Sequence, residues 1–208
     1  MNTVSILNVM LTTLMLVLIP LVLAFLFQKA DEELNIKLTK KDIIIITIVG
    51  IITSILLNIQ YEKFMLYHTS FIMAYLIFMS YTDQKTKLVY NFCSEVVIVL
   101  EIALILLNDT NINILTTSVM ILPLVMLVIS LLGGLGMGDV CIYTALALYS
   151  ITSKEFPFFS LTYIIILANI MFIIVGIIYK IVTRNKDRKL PLTIYIAISF
   201  FICSILRI

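Results

Sequence analysis

Charge is scarce in this chain: 12% of its 208 residues are Asp, Glu, Lys or Arg, about half the share of a soluble domain. Hydrophobic residues make up 62%, and the mean hydropathy is +1.17. Too few polar residues remain to cover a core facing water, so most of the surface must meet lipid. The three cysteines, Cys93, Cys141 and Cys203, form no C-x-x-C pair and have no histidine near them in sequence. That argues against a zinc site and leaves them as small apolar helix residues. The single histidine, His68, falls close to the expected outer surface and reads as an interfacial residue. Alternating segments of about ten residues are missing, which argues against an outer-membrane barrel. No linker separates two folded parts and no internal repeat is visible, so residues 1–208 read as one transmembrane domain. A net charge of +2 gives no sign of a nucleic-acid partner.

What is present is a series of apolar runs, near 4–28, 43–60, 64–82, 92–107, 114–132, 140–152, 157–182 and 190–206. A chain crossing lipid must satisfy its own backbone hydrogen bonds, so these runs predict helices. The expected fold is an all-α polytopic bundle of about eight transmembrane helices. The fourth, sixth and eighth runs are short, which leaves partly re-entrant segments open. The first run is too long for a signal-peptide core and lacks a small-x-small site, so it reads as helix 1. With the N-terminus outside, inner loops hold 11 of the 14 basic residues and the outer side holds Lys63, Lys154 and Arg207. That asymmetry predicts an N-out, C-out topology in the cytoplasmic membrane. The basic turn Arg184–Lys189 then faces anionic headgroups.

Four acids near the membrane are candidates for chemistry, because charge there is expensive. Asp83 ends the third run; taken alone it is an ordinary boundary charge. Asp139 follows Gly133, Gly134, Gly136 and Gly138, a glycine-rich break in apolar sequence. Irregular backbone at membrane depth is tolerated where it is buried in protein or lines a wet cavity. The predicted topology puts Asp83 and Asp139 on one side of the bilayer, where two carboxylates can share a proton and act as an acid–base pair. Glu95 sits near the cytoplasmic end of the fourth run and can snorkel. Glu101 is deeper and needs a partner, either a hydroxyl or a water in the bundle.

At these residues the chain resembles the type IV prepilin peptidases, membrane-embedded aspartic proteases. That family places an Asp at a helix end before a basic stretch and Ile/Val-Pro-Asn, and a second Asp in Gly-x-Gly-Asp. Here the first element runs from Asp83 through Lys87 to Val89-Tyr90-Asn91, and the second is Gly136-Met137-Gly138-Asp139. Lys189-Leu190-Pro191 is similar to the Pro-containing start of the family's last helix. The resemblance spans roughly residues 81–206. Tyr90 replaces the usual Pro, and Cys141 replaces the usual Lys. The cysteine-rich cytoplasmic insert of many bacterial members is absent, so the compact form is similar to archaeal preflagellin peptidases. Presenilin-type proteases share Gly-x-Gly-Asp, but their Tyr-Asp partner and Pro-Ala-Leu are not matched.

The resemblance implies an endopeptidase that removes the leader of a prepilin-like protein at the cytoplasmic membrane face. Asp83 and Asp139 would be catalytic. Gly136, Met137, Gly138, Lys87, Asn91 and Pro191 would support the site or touch substrate. No metal or organic cofactor is implied, and without the insert no N-methylation is expected. The lipid bilayer and the prepilin-like substrate are the expected partners. Two rivals stand beside this reading: an ion-coupled transporter, favoured by Glu101, and an inactive scaffold that binds pilin-like helices.

Overall fold

The computed structural model describes residues 6–30, 37–61, 63–87, 89–108, 118–133, 135–153, 158–183 and 190–207. Among them there is no strand, and eight helices follow one another. They are α1 (Ile6–Ala30), α2 (Lys40–Gln60), α3 (Lys63–Thr86), α4 (Asn91–Leu107), α5 (Ile121–Leu131), α6 (Met137–Ser153), α7 (Phe158–Thr183) and α8 (Thr193–Leu206). Four helices, α1, α2, α3 and α7, contain segments long and apolar enough to cross a membrane. The others are shorter. Within the run expected over 114–132, the described residues give the 11-residue α5, and 109–117 lie outside the described residues. Gly134, Leu88 and the Arg184–Lys189 turn lie outside them as well.

The sequence explains which helix takes the centre. α3 is the least apolar of the four long helices, yet 78% of its apolar window is buried against 22–33% for the other three. Its His68, Thr69, Tyr75, Ser80 and Thr82 side chains would be costly in lipid and are hydrogen-bonded within the protein instead. α1 and α8 pack closely along α3, α2 packs mainly on α1, α4 packs on α6, and α7 packs on α8. The outward faces of α1, α2 and α7 carry exposed Ile, Leu, Val and Phe, a surface suited to lipid.

The α1–α2 seam shows the packing logic of membrane helices. Small residues recur on one face of α2 at Gly50, Ser54 and Asn58. A Cβ at Gly50 would stand 2.7 Å from Val17 Cγ2, so glycine is what lets the two backbones approach. Deeper in the seam, Thr12 Oγ1 lies 2.6 Å from Ser54 Oγ and accepts a 2.8 Å bond from Asn58 Nδ2.

Candidate active site

Asp83 lies three residues from the C-terminus of α3 and is 6% exposed. Its backbone carbonyl accepts from the Lys87 N–H at 3.0 Å, and Lys87 itself takes φ +60°. That is the left-handed residue that commonly closes a helix, here filled by lysine rather than glycine. The Asp83 carboxylate points the other way, into the bundle. Its Oδ2 accepts a 3.1 Å hydrogen bond from the backbone N–H of Thr193, the first residue of α8. Leu192 is the formal N-cap of α8 and has no capping side chain. Asp83 therefore supplies from α3 the acceptor that α8 lacks. Ser80, one turn earlier, donates to the Thr193 carbonyl at 3.3 Å and to Leu76 O at 2.7 Å, so the joint is made twice.

Asp139 is half-buried in the first turn of α6, just ahead of the apolar run 140–152. The carbonyl of Gly136 accepts from the N–H groups of Asp139 and Val140 at 3.1 and 3.3 Å, which makes Gly136 the N-cap. The Asp139 carboxyl lies back over the Gly136 backbone, which favours its ionised form. A side chain at the third helical position reaching back to the cap is half of a capping box. Gly136 is tight for the same reason: a Cβ there would stand 3.2 Å from Asp139 Oδ2.

Two helix N-termini, those of α6 and α8, thus carry the two aspartates. Unpaired N–H groups and the helix dipole make such ends favourable for negative charge. The two acids are close enough to feel each other. Burial, then the charge of Asp83, push the Asp139 carboxyl up to about 6, and the Gly136 backbone opposes this in part. What brings α6 so near is Gly138. A Cβ on it would stand 2.4 Å from Val89 Cβ, an impossible contact, so only glycine lets the first turn of α6 rest on the α3–α4 connection.

The other expected site residues scatter around this centre. Asn91 is exposed at the first position of α4, and Met137 is 47% exposed at the first position of α6. The Lys87 side chain is exposed, and Pro191 is half-buried two residues before Thr193. Tyr90, which stands where the family has Pro, lays its ring 4.6 Å from Phe27 and so fastens α1 to the α3–α4 connection. Glu95 is exposed.

His68 corrects the sequence expectation. It is not interfacial: it is 6% exposed, and its Nε2 shares a 2.7 Å hydrogen bond with Oε1 of Glu101, which is 1% exposed. Thr152 Oγ1 donates to the other oxygen, Oε2, at 2.9 Å. The His68 ring packs 4.7 Å from that of Tyr149, whose hydroxyl lies 2.7 Å from Thr69 Oγ1. Glu101 therefore has its hydroxyl partner, and also a histidine that sequence reasoning missed. At about 1.5 Å per residue, His68 on α3 and Thr152 on α6 lie about 20 Å from their helices' aspartates, near the other end of the bundle, and sequence position does not show that α3 is enclosed there.

Comparison with protein-family models, curated proteins and solved structures finds no match to this chain.

Proposed function

We propose that the chain is a membrane-embedded aspartic endopeptidase that removes the leader of prepilin-like proteins at the cytoplasmic membrane face, in an eight-span, N-out and C-out arrangement. What supports the proposal is that Asp83 and Asp139 lie at one end of the bundle, Asp83 at the start of α8 and Asp139 at the start of α6, with the Asp83 charge helping to raise the Asp139 carboxyl. The sequence motifs around the same two residues point the same way. In this mechanism Asp83 takes a proton from water as the water attacks the scissile carbonyl. Asp139 holds a proton and gives it to the leaving amine as the carbon–nitrogen bond breaks. Neither step calls on a metal or organic cofactor.

The test uses purified protein and a synthetic peptide with a basic leader, a glycine and a hydrophobic helix. Asp83→Asn and Asp139→Asn should each lower cleavage by roughly a thousandfold or more, and the double variant should lose little further, because residues acting as one unit fail together. Full activity in either single variant would end the proposal. In the same assay the product should carry no added methyl group when S-adenosylmethionine is supplied; a methylated product would remove that part of the reading.

A second reading, an ion-coupled transporter, has one observation in its favour: the His68–Glu101–Thr152 cluster buried inside the bundle. Glu101→Gln separates the two. A peptidase keeps its cleavage rate within a few-fold, whereas a transporter that uses this cluster loses substrate uptake.

A further inference from the structure

α2 touches α3 and α8 far less closely than it touches α1, and the space left between them is a groove of about 370 Å³. Its walls are apolar along most of their length, with Ile46, Met73, Ile77 and Ala197 at the back. Val49, Ile52 and Ile198 also line it and are 39%, 51% and 40% exposed, so the groove opens sideways toward lipid. Along α2 it runs from Asp42 to Thr53, about 17 Å at the helical rise. That is close to one leaflet, half of a hydrocarbon core of about 30 Å. A spanning helix seated here would need a groove nearly twice as long.

The groove begins at the end of the bundle that carries the aspartates, among Asp42, Tyr81 and Gln84. That end is basic. Lys40, Lys41 and Lys87 are exposed there. Asp42 is already matched by Lys85, whose Nζ lies 2.9 Å from Asp42 Oδ2. The mouth therefore keeps positive charge from Lys40 and Lys41 among the described residues.

We propose that the groove holds one acyl chain of an anionic phospholipid, with its phosphate between Lys40 and Lys41. An apolar slot one leaflet deep with a cationic mouth matches that ligand at both ends. The chain would also reach the joint that seats Asp83. Ser80 lines the groove and bonds to Thr193, and Ile194 lines it one residue beyond. The lipid would then brace α2 against α3 and α8 at the aspartate end. The proposal does not depend on peptidase activity.

Native mass spectrometry of the detergent-purified full chain tests it, with phosphatidylglycerol and phosphatidylcholine of identical chains supplied in equal amounts. One phosphatidylglycerol should remain bound per chain. Replacing Lys40 and Lys41 by Gln should lower the preference for it roughly 25-fold, about fivefold for each lysine. Val49→Trp, which fills the rim, should abolish retention of both lipids. If that variant melts at a lower temperature, the two-lysine variant, confined to the surface, decides alone. Equal retention of the two lipids would overturn the proposal, as would no retained lipid or an unchanged preference after both lysines are replaced. So would one-for-one displacement by a leader-bearing hydrophobic peptide, which would give the groove to substrate.

Discussion

At the scale of single residues, the two aspartates differ in their surroundings, and the difference predicts a pH profile. Asp139 holds its proton up to about pH 6, because burial and the Asp83 charge both disfavour its ionised form. A raised acid is protonated below that value and loses its proton as pH rises through it. If Asp139 protonates the leaving amine, kcat/KM should fall above about pH 6, approaching tenfold per pH unit. A rate that stays flat from pH 6 to 8 would remove Asp139 from that role. Gly138 gives a second prediction at this scale. Gly138→Ala places a methyl group inside Val89, so the first turn of α6 must retreat. Stability should fall by about 1–3 kcal/mol and cleavage should fall further than stability explains, as read by thermal melting beside the peptide assay. These residues were legible in the sequence because charges and glycines stand out against apolar runs. What the sequence did not carry is that each acid caps a helix. Thr193 lies 110 positions from Asp83, and no local pattern links them.

At the scale of elements, the helices were readable and their ends were not. Apolar periodicity marks where lipid or protein surrounds a chain, but α3 continues to Thr86 and α6 begins at Met137 because of hydrogen bonds rather than hydropathy. α3 is also where hydropathy misleads about a polar side chain. Position along the chain puts His68 close to the expected outer surface, but α3 is enclosed on most sides, so a residue near its outer end is still interior. The His68–Glu101–Thr152 cluster ties α3, α4 and α6 together at the end opposite the aspartates. Glu101→Leu removes the acceptor and leaves His68 buried without its partner, which should cost about 1–3 kcal/mol. His68→Leu alone should cost a similar amount, and the double variant should recover part of the loss, because neither polar group is then stranded. Purely additive losses in thermal unfolding would show that the pair is not coupled.

At the scale of the whole molecule, basic side chains gather at one end of the bundle among the described residues, as the sequence pattern leads one to expect. The Asp42–Lys85 bridge joins the start of α2 to the end of α3, which puts Lys40, Lys41, Lys85 and Lys87 at one end of the bundle with both aspartates. Arg207, by contrast, follows the C-terminus of α8 and stacks over Tyr61 at the far end of α2, 5.4 Å from the ring centroid. In the proposed orientation the lysine-rich end is cytoplasmic, because basic residues near membrane helices are retained on that side. Cysteine substitutions report this directly. Gln84, exposed beside Asp83, and Asn185, in the basic segment between α7 and α8, should both resist an impermeant thiol reagent added outside intact cells. They should react once the membrane is opened. The three native cysteines need replacing by Ala or Ser first, and Cys93 and Cys203 are buried, so each replacement is checked for melting temperature. A cysteine placed at Arg207 should react from outside without permeabilisation. Outside labelling at Gln84 would turn the bundle over and put Asp83 and Asp139 on the wrong side for a cytoplasmic leader. Labelling at Asn185 alone would instead break the alternation between α3 and α7, and the eight-span count with it.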